Sequence, residues 1–117
     1  MRFRFTFHPD DHERYGDGTW TLDPEALLRQ PVRELIAVEA ATGMGIPGML
    51  LVLDRPTDPR YTTALLAATW VARRLGGVTE AYESYEPLVY LMHLERLEDD
   101  EVPPGGASSS SPQSEGA

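Results

Sequence analysis

The stretch that most restricts this chain's fold runs from Ala64 to Leu75. It reads Ala-Leu-Leu-Ala-Ala-Thr-Trp-Val-Ala-Arg-Arg-Leu, and Gly76-Gly77 ends it. At helical spacing Tyr61, Leu65, Ala68, Ala72 and Leu75 share one face, and Leu66 and Trp70 share a second. A helix apolar on that much of its circumference has to be central, with neighbours on several sides. Asp58-Pro59 ahead of it has the form of an N-cap with a first-turn proline.

The segments before it read as follows. Phe3, Phe5 and Phe7 alternate with Arg2, Arg4 and Thr6, the period-two pattern of a strand with one buried face. His8 to Gly18 is rich in turn formers, and Asp17-Gly18 leads into a second short strand, Thr19 to Leu22. The expectation is a β-hairpin with a long loop. A lone hairpin is marginal in water, so it must pack on helices or pair with a further strand. Asp23-Pro24-Glu25 starts a short helix, Pro31 opens the next, and Val32, Leu35, Ile36 and Ala40 give that helix an apolar face. Gly43 and Gly45 end it. Met49 to Leu53 suits a buried helix better than a strand, and 54–59 is a loop.

After Gly77, Thr79-Glu80-Ala81-Tyr82-Glu83 reads as another helix start. Pro87 interrupts it and allows a last helix over Leu88–Leu97 carrying Leu91, Met92 and Leu94. Glu98-Asp99-Asp100-Glu101 opposes the dipole at that helix's C-terminus and predicts fraying. From Pro103 onward Pro, Gly, Ser, Ala and Gln dominate, a composition too poor in apolar groups to offset ordering entropy. The predicted fold is therefore mainly α: a small bundle of four or five short helices over 24–101, an N-terminal β-hairpin over 1–23, and a disordered tail over 102–117.

Composition narrows the function. With 117 residues there is one domain and a modest core. The 19 acidic residues outnumber 10 basic ones, a formal net charge of -9, which disfavours nucleic acid and anionic membranes as partners. A basic partner, or one held by apolar contact, fits better. The absence of cysteine removes disulfides, zinc–thiolate sites and thiol nucleophiles, and suits a reducing cytoplasm. Met1 leads directly into the alternating strand, with no signal-peptide pattern. The longest apolar run, Ala64–Ala72, is too short to span a bilayer. A soluble intracellular protein is expected.

Few residues look chemical. His8, Asp10, Asp11, His12 and Glu13 could group around a metal, but Pro9 prevents a helical His pair and no third ligand stands at a fixed spacing, so the cluster reads as a solvated loop. His93 has no nucleophile or pocket motif beside it and reads as structural. Gly43-Met44-Gly45-Ile46-Pro47-Gly48 lacks the Lys-Ser/Thr of a phosphate loop and reads as a turn between helices. Arg73-Arg74 reads as helix C-terminal charge, and Trp20 and Trp70 as core. Tyr82, Tyr85 and Tyr90, interleaved with Glu80, Glu83 and Glu86, suit either a recognition surface or the wet edge of a core. The second apolar face of the central helix makes Leu66, Trp70, Tyr82 and Tyr85 the candidate lining of a partner groove. No cofactor, metal or catalytic residue is assigned.

Three segments resemble the tail assembly chaperones of long-tailed bacteriophages, especially those of phages of high-GC Gram-positive bacteria. Val32 to Gly43 is similar to a recurring "iE…atG" segment. Leu65-Leu66, Trp70, Ala72, Arg73, Arg74 and Gly76 match an "AL-x-W-x-A-x-R-R-x-G" helix, and Thr79-Glu80-Ala81-Tyr82 stands where the family usually has a Thr-Phe-acidic helix start. The likeness covers roughly Val32 to Leu97. Tyr85-Glu86-Pro87 departs from the usual acidic ending. The resemblance implies a non-enzymatic protein in the host cytoplasm that binds the tape measure protein and helps recruit tail tube subunits. Many such chaperones also have a longer form, made by a ribosomal frameshift near the end of the gene. Homo-oligomerisation stays open. The rival readings are a structural virion component, such as a head-tail connector or tail protein, a small acidic regulatory binding protein, and a hydrolase or metal enzyme using the three histidines.

Overall fold

The alternation in Arg2–Thr6 is realised as strand β1, with Phe3 and Phe5 buried and Arg2, Arg4 and Thr6 on the other face. In the computed structural model, which describes residues 2–97, β1 is the middle of three antiparallel strands. Thr19–Leu22 (β2) pairs on one side, with Phe5 opposite Trp20 and Phe3 opposite Leu22. His93–Leu97 (β3) pairs on the other, with Phe5 opposite Leu94 and Phe3 opposite Arg96. Five helices complete the order: α1 (His12–Tyr15) within the hairpin loop, then α2 (Pro24–Leu28), α3 (Val32–Thr42), α4 (Ile46–Leu53) and α5 (Tyr61–Leu75). Short 3-10 turns occupy Pro9–Asp11, Tyr82–Ser84 and Val89–Leu91.

Helix α5 is central, as its composition requires. Ala64, Leu65, Ala67, Ala68, Thr69, Trp70, Val71, Ala72 and Arg73 are all buried, against the sheet on one side and α4 on another. The other face of the sheet carries polar side chains, where Arg4 reaches the Glu95 carboxylate at 2.6 Å. Several local signals act as read. The Asp23 carboxylate accepts the Glu25 amide at 3.0 Å at the start of α2. Gly43 takes a φ of 73° as α3 ends. Met49–Leu53 is helical, within α4.

Four expectations need correction. The last helix, Leu88–Leu97, is a single 3-10 turn followed by β3. The free edge of β1 offers a ladder of backbone hydrogen bonds, and Leu94 and Arg96 alternate to cover Phe5 and Phe3, which outweighs local helix preference. The helix expected from Thr79 is absent because residue 80 is tied to α5. The Glu80 carbonyl accepts from the Trp70 indole at 2.9 Å, and its carboxylate pairs with Arg73. The α3 face is also turned. Val38 and Thr42 are buried and Leu35 is half-buried, while Val32, Ile36 and Ala40 are exposed. The cause lies in two acids that face the body: Glu34 forks with Arg74 of α5, and Glu39 accepts the Ile46 amide at the start of α4, at 2.8 Å. The fold class changes accordingly, from a helical bundle with an appended hairpin to five helices combined with a three-stranded antiparallel sheet. Residues 98–101 and the tail over 102–117 lie outside the described residues.

Candidate protein-docking surface

The groove expected from Leu66, Trp70, Tyr82 and Tyr85 is not an open surface. Trp70 is only 3% exposed and packs edge-on against Tyr82, with ring centroids 5.3 Å apart. Tyr85 is 1% exposed, donates its hydroxyl to Thr69 Oγ1 at 2.8 Å, and meets Phe7 and Tyr15 edge-on. Its burial pushes the phenol pKa well up. Both side chains are therefore core, corrected from partner-lining. The reason is that 80–86 folds back over α5 and covers its second apolar face. Leu66 and Tyr82 are half-buried at the margin of that packing, and burial also raises the Tyr82 pKa. Tyr90, by contrast, is exposed, and its hydroxyl hydrogen-bonds Thr62.

The histidine-rich loop is held by its own polar groups. His8 Nδ1 accepts the Asp10 amide at 3.1 Å, His12 Nε2 lies 3.0 Å from the Phe7 carbonyl, and an Asp11 carboxylate oxygen accepts the Leu88 amide at 2.8 Å. Among the described residues no three His, Cys, Asp or Glu side chains are placed to hold a metal ion. His93 lies on the exposed edge strand β3. The glycine-rich turn after α3 presents the start of α4, but the chain's own Glu39 carboxylate occupies that position.

What remains at the surface is apolar. Leu28 at the end of α2 and Val32 and Ile36 on α3 are 56%, 67% and 57% exposed. Ala37 and Ala40 share their side of α3, and Arg33 is the one charged residue there. Leu51 on α4 is exposed as well. A second group, Leu88, Tyr90, Leu91 and Leu94, lies on the segment entering β3. An apolar row of this kind is the feature that distinguishes a binding surface from ordinary scattered exposure. The residues of the α3 row were visible in the sequence, which assigned them to the core. The signal that would have turned them outward is Glu34, an acid on the opposite side of the helix that meets Arg74 of α5. Among the described residues no single helix is long and apolar enough to cross a membrane, and only the pair α3 and α4, bent by 62°, passes that test together. Comparison with protein families, with characterised proteins and with solved structures finds no match to this chain.

Proposed function

We propose that this chain is a non-enzymatic protein-binding module acting as a phage tail assembly chaperone. Its client in this reading is the tape measure protein, and tail tube subunits are recruited around the pair in the host cytoplasm. The observation that carries the reading is the outward apolar row of α3, Val32 and Ile36, continued by Leu28 on α2. Exposed branched side chains on a helix braced from behind by Glu34–Arg74 and Glu39 suit capture of another apolar segment. The acidic balance of the chain, net -9, favours solubility of a complex with such a client.

The test is co-expression with the tape measure protein of a tailed phage whose genome carries this chain. The wild type is expected to keep that protein soluble and to co-purify with it. The double variant Val32→Glu/Ile36→Glu is expected to lose the effect while keeping its melting temperature, because both positions are exposed. An insoluble client with wild type and variant alike would reject the chaperone role. Finding the chain in purified virions would assign it to the particle as a structural component.

A further inference from the structure

Arg33 stands against two local preferences. It lies in the first turn of α3, where the helix dipole disfavours a cation. It also makes no hydrogen bond or ion pair among the described residues. Its neighbours on the exposed side of α3 are Val32, Ile36, Ala37 and Ala40. Any body that covers this row covers Arg33 too. Burying an unpaired guanidinium is prohibitive, so the occupant has to bring an acceptor of negative charge.

A second copy of the chain is a poor occupant. The acids of α3 are already engaged, Glu34 by Arg74 and Glu39 by the Ile46 amide, so a twofold contact would offer Arg33 no free carboxylate from α3. The net charge of -9 on each copy also opposes contact between copies at neutral pH. A strand cannot add here, because the backbone of α3 is already paired within the helix. A second helix can. Val32 and Ile36 form a ridge, and Ala37 and Ala40 beside it leave a groove for close approach.

We infer that the outward side of α3 docks an amphipathic α-helix of another protein that carries Asp or Glu beside its apolar ridge, with Arg33 selecting the carboxylate. This inference rests on the reading of the α3 row as a docking surface. Arg33 thus occupies a position unfavourable to the isolated helix and gains its counter-charge on binding.

The test is a display library of helical peptides, with ridge and flanking positions randomised, selected on the full chain and separately on Arg33→Glu. Ile36→Glu serves as the counter-selection. Helices selected on the wild type are expected to be enriched in Asp and Glu at flanking positions, and those selected on Arg33→Glu in Lys and Arg. A wild-type-selected helix is expected to bind Arg33→Glu at least about tenfold more weakly. The melting temperature of Arg33→Glu should hold or rise, since an acid suits the first turn, so lost binding cannot be lost folding. Selected helices without charge preference would overturn the inference and leave the docking surface standing. Helices that bind Ile36→Glu as well as wild type, or no helices at all, would remove the docking surface itself. Sedimentation with phosphatidylglycerol vesicles that depends on Arg33 and Ile36, without any selected helix, would overturn the inference in favour of a membrane.

Discussion

Arg73 is the one charged side chain fully buried among the described residues. Its guanidinium carbon lies 5.1–5.6 Å from the ring centroids of Phe7, Tyr15, Trp20 and Tyr85, and it pairs with Glu80. One residue thereby joins the end of β1, the hairpin loop, β2, α5 and the segment over 80–86. Desolvated cation–π contacts are worth about 2 kcal/mol or more each at best, which helps offset the burial of a charge whose Nε finds no acceptor. Arg73→Ala should cost about 3–5 kcal/mol, because Glu80 is then left half-buried without its counter-charge and a cavity opens among the rings. Chemical denaturation followed by tryptophan fluorescence measures this, since Trp20 and Trp70 flank the site. A loss below about 1 kcal/mol would mean that the rings, not the ion, hold these segments together. Both arginines stand in the last turn of α5, as helix C-terminal charge, but in different environments. Arg74 meets Glu34 at the surface, and Arg73 is enclosed.

At the scale of elements, legibility followed how far each segment's structure depends on itself. The alternation of Phe3, Phe5 and Phe7 and the broad apolar surface of Ala64–Leu75 carry their own periods, and β1 and α5 fall where those periods place them. β3 depends on a partner more than ninety positions upstream in the chain, Arg2 opposite Leu97, and nothing within His93–Leu97 announces that pairing. α3 was legible as a helix and not in its rotation, because Glu34 and Arg74 meet only after α5 is in place. That contact sets an acid dependence. The hydrogen bond from Arg74 holds the Glu34 carboxyl below its ordinary value of 4.5, against a smaller opposing effect of burial. A carboxylate with a depressed folded pKa contributes stability in full above its unfolded value and loses it as pH falls through the folded one. Glu34→Gln should therefore lower the melting temperature at pH 7, by an amount consistent with about 1 kcal/mol or less for a partly exposed pair. The difference from wild type should shrink as pH falls below 4.5 and vanish once pH is below the lowered folded value. A difference that persists unchanged at pH 3 would show that packing, rather than the ion pair, fixes the rotation of α3.

At the scale of the whole molecule, two properties oppose each other: an apolar row open to solvent and a strong excess of negative charge. Five of the 19 acids, Glu98, Asp99, Asp100, Glu101 and Glu115, follow Leu97, so the charge excess is shared between the described residues and the sequence after them. Composition made the charge plain and so bounded the partners, whereas the location of the apolar row required the fold. At neutral pH the excess negative charge opposes contact between copies. As pH falls into the carboxylate range, about 4, the acids neutralise while ten arginines remain charged, and the net charge passes through zero before turning positive. Near that crossing, exposed Val32, Ile36 and Leu28 have no charge barrier to mutual contact. Sedimentation velocity should show a monomer at pH 7 and reversible association near the crossing. Ile36→Lys should suppress that association twice over, by removing an apolar contact and by adding a cation at that pH. Association unaffected by Ile36→Lys would move the self-contact to the other exposed group, Leu88, Tyr90, Leu91 and Leu94. The substitution Leu91→Lys would then be the variant that restores the monomer.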